Sequence, residues 1–153
     1  MKCIVWLASY PKSGNTWLRI FLNNYLANSD QPVSINKISG LTLGDSLWTA
    51  YRRIAGPGLR PDDEEGVIRH REAMLRGLIG DPSQTYILKT HNLNAKLIGV
   101  ATIPPQLTRA AIHITRNPLD LAISYANHYG LDMATTMASS SAPCMMPALL
   151  NRM

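Results

Sequence analysis

The segment 3–22 constrains the fold more than any other part of the chain, because an apolar run, a short polar turn and a helical pattern follow one another directly. Cys3–Ala8 is apolar, the turn Tyr10–Trp17 contains Lys12 and Gly14, and apolar residues then continue at helical spacing. Backbone N–H groups at a helix N-terminus carry partial positive charge and bind oxyanions. Glycine lets the backbone approach a ligand, and lysine adds a full charge. The segment predicts a strand, a phosphate-binding loop and a helix, which together indicate a nucleotide-binding enzyme.

The order of residues in this loop narrows the ligand. A nucleoside-triphosphate loop reads G-x-x-x-x-G-K-[ST], with the lysine after the second glycine and a hydroxyl for magnesium. In this chain Lys12 precedes Gly14, and Ala8 or Ser9 occupies the place of the first glycine. The order therefore argues against an ordinary ATPase or GTPase.

Two further polar segments follow predicted strands. Lys89-Thr90-His91 comes after an apolar run, and Arg116 comes after a later one. Open α/β sheets bind ligands at the carboxyl ends of their strands, so these side chains are expected to face the loop. Imidazole titrates near neutral pH and suits a general base, although His91 alone could also cap a loop. About 12 Å of rise separates Arg116 from Ser124 if the segment is fully helical, so both reach a single phosphate only if the helix begins after Arg116 and the ligand lies along it.

These segments resemble the motifs of cytosolic-type sulfotransferases. Tyr10–Trp17 is similar to their Y-P-K-S-G-T-T-W loop with Asn15 in place of one threonine. Lys89–His91 matches their K-T-H segment, and Arg116–Ser124 resembles their R-N-P-x-D-x-x-x-S segment. The resemblance covers about residues 3–130, and no segment matches the R-K-G-x-x-G that the family carries later in its chains. It therefore predicts the N-terminal half of such a domain.

The resemblance implies sulfuryl transfer from 3′-phosphoadenosine 5′-phosphosulfate (PAPS) to a hydroxyl or amine acceptor, without a metal. It makes His91 the general base, and Lys12 and Lys89 the groups that stabilise charge on the bridging oxygen. The residues it implies for PAPS binding are Lys12, Ser13, Gly14, Asn15, Thr16, Trp17, Arg116 and Ser124. Trp17 would stack on adenine or belong to the helix core. The alternatives are a non-catalytic nucleotide-binding remnant and a P-loop small-molecule kinase, which would need magnesium.

Alternating strands and helices predict an α/β fold, a P-loop-like parallel β-sheet flanked by helices on both faces and truncated at its far side. Strands are predicted over about 3–9, 85–89 and 110–115, the last two as buried strands. Helices are predicted at Asn15–Ala27, Leu43–Ala55, from Pro61 to about Gly80, and Asn117–Tyr129. Residues 1–131 form the expected partial sulfotransferase domain, and 132–153 are expected to be a poorly ordered or atypical tail.

Composition sets the remaining expectations. With 153 residues, 46% hydrophobic and 16% charged, the chain is expected to form one packed domain. The net charge of +5 suits an anionic ligand, but no run of lysine and arginine indicates nucleic-acid binding. No apolar segment approaches the roughly 18 residues of a membrane span. Cys3 and Cys144 are too few for a disulfide framework, so a reducing cytoplasm is expected. The expected partner is a small-molecule acceptor, and the oligomeric state stays open.

Overall fold

The computed structural model describes residues 2–34, 36 and 42–136. Strands and helices alternate along this part of the chain, as the sequence predicts for an α/β fold. In chain order the elements are β1 Ile4–Ser9, α1 Asn15–Ala27, β2 Thr42–Gly44, α2 Trp48–Ala55, α3 Glu64–Leu78, β3 Tyr86–Thr90, β4 Lys96–Leu97, β5 Val100–Ala101, β6 Thr108–Ile114 and α4 Pro118–Tyr129.

The main sheet of the described residues has four strands in the order β2-β3-β1-β6, and every neighbouring pair is parallel. The mixed α/β class with a parallel sheet is thus confirmed. Leu7 of β1 lies opposite Lys89 of β3, and Ser9 lies opposite Ile114 of β6. Because β1, β3 and β6 run in the same direction, their carboxyl ends meet at one edge of the sheet.

The hydrophobic core lies between β1, β3 and the pair of helices α2 and α3. Trp6 and Leu88 supply the sheet side, and Tyr51, Met74 and Leu75 supply the helix side, all at most 1% exposed. The indole Nε1 of Trp6 donates to Thr108 Oγ1 at 2.9 Å. Burying this polar atom with a partner removes the cost of an unpaired donor.

The best-predicted helices are those that begin with a clear signal. α1 has the predicted bounds, and it ends where Asn28 takes the left-handed conformation. α4 begins at Pro118, and the Asn117 side chain accepts a hydrogen bond from Leu119 N at 2.9 Å. α3 begins after Asp63, whose side chain accepts from Gly66 N. These caps supply acceptors for N–H groups that have no intrahelical partner.

The predicted helix over Leu43–Ala55 is wrong in its first part. Thr42–Gly44 is the strand β2, which pairs with β3, and the helix α2 begins only at Trp48. A three-residue segment has no periodicity of its own, so it is defined by its partner strand rather than by its sequence. The small antiparallel pair of β4 and β5 was also not predicted.

The third predicted strand is present as β6, but it is largely exposed rather than buried. Residues 109–113 are all exposed, and Ile112 is 43% exposed. β6 is the last strand of the described sheet and has β1 as its strand neighbour. An apolar sequence therefore lies at an edge of the described sheet.

Residues 133–136 of the predicted tail form a helical turn, and from residue 137 onward that prediction lies outside the described residues. Among the helices of the described residues, none is long and apolar enough to cross a membrane.

Candidate active site

The loop between β1 and α1 has the backbone of an anion cradle. Lys12 has φ 70 and Gly14 has φ 104, both in the left-handed region. Such successive turns direct N–H groups toward one point. No side chain caps α1, and the first backbone bond of the helix runs from Leu18 N to Gly14 O at 3.1 Å. The N–H groups of the preceding helical residues have no intrahelical acceptor and can bind an oxyanion.

Asn15 braces this helix against the central strand. Its Nδ2 donates to Leu7 O at 2.9 Å and to Ser9 Oγ at 3.2 Å, and the residue is 4% exposed. The Oδ1 of Asn15 is the buried side-chain polar atom of the described chain that has no hydrogen-bond partner. Asn15 therefore ties the loop to the end of β1.

A cavity of about 410 Å³ opens at the carboxyl ends of β1 and β3 and at the N-terminus of α1. Lys12, Lys89 and His91 line it together, which brings all three predicted catalytic side chains to one site. The parallel register between Leu7 and Lys89 accounts for this placement, because both strands deliver their following residues to the same edge. The full lining is Pro11, Lys12, Gly14, Asn15, Thr16, Lys89, His91, Ser124, His128 and Tyr129.

The hydrogen bond of His91 fixes its tautomer. The Nδ1 atom lies 2.7 Å from Ser9 O and 3.3 Å from Ser9 Oγ. A carbonyl oxygen only accepts, so Nδ1 carries the proton and donates it to Ser9. The lone pair of the neutral ring then lies on Nε2, which leaves that atom able to accept a proton.

Burial lowers the pKa of His91 below its usual 6.5, and the nearby charge of Lys89 lowers it further. The hydrogen bond to Ser9 and the charge of Asp45 act in the opposite direction. Burial and the charge of Arg19 likewise lower the pKa of Lys89. His91 is therefore neutral at pH 7, the state that a general base requires.

Helix α4 contributes three residues to the cavity. Ser124 was predicted, whereas His128 and Tyr129 were not predicted as part of the site. The spacing of Ser124 and His128 could have indicated this, because residues four apart share a helix face. α4 begins at Pro118, so Ser124 lies within the helix and Arg116 precedes it.

Residues 4–142 match the family model described as Sulfotransferase domain, which is most of the 153-residue chain. The chain belongs to the sulfotransferase domain family. Its family chemistry is sulfuryl transfer, so the chain is a transferase domain. A comparison with curated proteins finds no match.

Three of the predicted binding residues of this sulfotransferase domain lie outside the cavity lining. Ser13 is buried, and its N–H donates to Tyr10 O at 3.2 Å, so that amide already has an acceptor. Arg116 is exposed, and its Nη1 donates to Lys12 O at 3.2 Å, which places it beside the loop. Trp17 is 70% exposed and stacks on Phe21 with ring centroids 5.8 Å apart. The ligand contacts of these residues stay predictions.

The lowered pKa of His91 predicts a pH-dependent stability of the sulfotransferase domain. Well above pH 6.5 the ring is neutral in both the folded and unfolded chain. Between pH 6.5 and the folded pKa, the unfolded chain binds a proton that the folded chain does not, so the free energy of unfolding decreases as the pH falls. Urea denaturation across this range should show a smaller decrease for His91→Gln than for the wild type. Equal decreases would contradict the lowered pKa.

Proposed function

We propose that this chain binds PAPS in the cavity and transfers its sulfuryl group to a hydroxyl or amine of a small-molecule acceptor. The observation that carries the proposal is the convergence of Lys12, Lys89 and His91 on one cavity at the N-terminus of α1. The reaction requires groups that bind a sulfated phosphate and a base for the acceptor. The two lysines and the free helix amides supply the first, and the neutral imidazole supplies the second.

The chemistry of the lining fits the donor. Among the described residues, the cavity lining contains two lysines and no carboxylate, so its charge favours an anion. A Cβ added at Gly14 would meet nothing within 4 Å, so the loop has open space where a phosphosulfate would lie. Lys12 and the amides of Gly14, Asn15 and Thr16 would hold the phosphosulfate, and Ser124 and Arg116 would hold the 3′-phosphate.

When bound, PAPS supplies the sulfuryl group: the acceptor oxygen bonds to sulfur as the bond from sulfur to the bridging phosphate oxygen breaks. His91 accepts the acceptor's proton at Nε2, because its Nδ1 proton is held by Ser9 O. Lys12 stabilises the negative charge that develops on the bridging oxygen, and Lys89 lies beside it in the same lining. The helix amides orient the donor so that sulfur faces the acceptor.

A thermal-shift titration tests the donor. The ligands are 3′-phosphoadenosine 5′-phosphate (PAP), the product form of the donor, and ATP with magnesium. We expect PAP to raise the melting temperature, with a rise that grows with the logarithm of its concentration above the dissociation constant, and we expect Lys12→Ala to lose most of that rise. Lys96→Ala is the matched control, because Lys96 is exposed on β4 and is not part of the cavity lining.

Each other outcome of this titration counts against part of the proposal. Stabilisation by ATP with magnesium alone would replace it with the small-molecule kinase. Stabilisation by neither ligand would contradict nucleotide binding. Equal loss of the PAP response in Lys12→Ala and Lys96→Ala would show that Lys12 has no specific part in binding.

A pair of glycine substitutions separates loop strain from ligand binding. Gly14 and Gly99 both have positive φ, 104 and 83, and an added Cβ meets nothing within 4 Å at either site. Alanine at either position should cost about 1–2 kcal/mol of folding stability, because L-residues disfavour this conformation. Only Gly14→Ala should also weaken PAP binding, since Gly14 lines the cavity and Gly99 does not. Calorimetric titration with PAP measures the affinity of each variant. Equal PAP affinities of Gly14→Ala and Gly99→Ala would contradict the placement of the donor.

A further inference from the structure

The carboxylate of Asp45 is the centre of a buried network beside the site. Its Oδ2 accepts from Arg71 Nη2 at 2.6 Å, from Thr90 Oγ1 at 2.6 Å and from Asn92 Nδ2 at 2.8 Å. Asp45 is 3% exposed and Arg71 is not exposed at all. Asp45 N also donates to Lys89 O at 3.1 Å, so both its main chain and its side chain are joined to the end of β3.

The donors Thr90 and Asn92 are the two chain neighbours of His91. Thr90 Oγ1 also accepts from Asn92 N at 3.0 Å, so a hydrogen bond joins the residues before and after His91. His91 itself contacts Ser9 on the neighbouring strand through Nδ1. The imidazole is therefore located by two independent anchors, one through its own ring and one through the residues on either side.

We propose that Asp45 is a positioning residue of this site: it holds Thr90 and Asn92 and thereby fixes the His91 ring against Ser9. The inference rests on the proposed role of His91 as the base. Asp45 touches neither donor nor acceptor in this scheme and acts only through His91.

The ionisation of Asp45 is consistent with this role. Burial opposes it, but the charge of Arg71 and the hydrogen bonds from Thr90, Arg71 and Asn92 hold the pKa of Asp45 below its usual value. An ionised carboxylate accepts stronger and more directional hydrogen bonds than a neutral group. A buried ion pair is a weak source of net stability, because desolvation offsets the attraction, whereas it fixes geometry well.

Arg71 extends the network to the segment that follows His91. Its Nε donates to Thr102 O, and Thr102 Oγ1 accepts from Ala95 N at 3.0 Å. Thr102 Oγ1 also contacts Leu93 O. The chain from Thr90 to Ala95 is thus joined to the buried pair directly through Thr90 and Asn92 and indirectly through Thr102.

The test uses variants that keep the Asp45–Arg71 pair and remove the hydrogen bonds that join it to the residues on either side of His91. Thr90→Val removes the hydroxyl with nearly the same volume, and Thr90→Ser restores it. Thr90 is 1% exposed, so a substitution there could destabilise the fold. A second variant, Asn92→Leu, therefore removes the hydrogen bond to Asp45 on the other side of His91. Each variant is measured by the exchange of the His91 Nδ1 proton in NMR, by PAP affinity and by kcat.

In Thr90→Val and Asn92→Leu the His91 Nδ1 proton should exchange about tenfold faster, because its hydrogen bond to Ser9 opens more often. With the base displaced, kcat should fall by about tenfold to a hundredfold while the dissociation constant of PAP stays the same. Thr90→Ser should restore both. Unchanged exchange in the folded variants, or the same loss in Thr90→Ser, would overturn the proposal. A wild type that transfers no sulfuryl group would contradict the proposed function, and the NMR exchange would still decide the positioning role.

Discussion

Replacing His91 by alanine should lower kcat for sulfuryl transfer by about 10²–10⁴-fold, the usual contribution of a positioned general base. The ring is neutral at pH 7 because burial and the charge of Lys89 lower its pKa. Its free lone pair lies on Nε2 because Nδ1 donates to Ser9 O. Without the ring, the acceptor proton must leave to water while the donor is held as before. The affinity for PAP should therefore change little.

Steady-state kinetics with PAPS, together with calorimetric titration of PAP, measure this effect. His113→Ala is the matched control, because His113 is exposed on β6 and is not part of the cavity lining. It should retain the wild-type kcat. A His91→Ala variant with wild-type kcat would remove His91 from the mechanism, and a variant that loses PAP affinity as well would make it a binding residue.

The second large effect concerns stability. Arg71→Met should lower the free energy of unfolding by about 3–5 kcal/mol, because it leaves the carboxylate of Asp45 buried without its cation. The two side chains are 0% and 4% exposed, and their charged atoms lie 2.6 Å apart. A loss of this size is a large part of the total stability of an ordinary domain.

Urea denaturation measures this loss, and the same helix offers its control. Arg69 pairs with Glu65 on the exposed surface of α3, with both side chains at least 60% exposed, so Arg69→Met should change stability little. The double variant Asp45→Leu/Arg71→Met should recover much of the loss, since it leaves no buried charge. Equal stabilities of Arg71→Met and Arg69→Met would contradict the buried pair.

The sequence predicts the elements whose signals are local. α1 combines a glycine before its first residue with a continuous apolar face, and its bounds agree with the structure. α4 begins with asparagine and proline, which are among the strongest helix-start signals. Strands β1 and β3 are apolar runs long enough to recognise.

Features that depend on distant partners could not be predicted from the sequence. β2 is a strand because Leu43 lies opposite Leu88, which no local pattern indicates. The importance of Asp45 follows from three donors on other elements, and a single aspartate in a sequence gives no sign of them. The apolar sequence of β6 suggested a buried strand. The strand is largely exposed, because exposure depends on which elements lie beside it and not on its own sequence.

The candidate site was predictable where motifs mark it. Lys12, Lys89, His91 and Ser124 were recognised from short segments, and the structure places them around one cavity. His128 and Tyr129 have no motif of their own, and they reach the cavity because α4 turns them toward it. The tautomer of His91 depends on the carbonyl of Ser9, which only the fold brings near.

The most direct measurement is the transfer reaction itself. The purified chain is incubated with PAPS labelled in its sulfuryl group and with phenols, aliphatic alcohols and amines, and labelled products are identified by mass spectrometry. We expect a labelled sulfate ester or sulfamate in at least one acceptor class, with PAP released in equal amount and both lost in His91→Ala. PAP binding without labelled product from any class would contradict sulfuryl transfer and leave a nucleotide-binding domain without turnover.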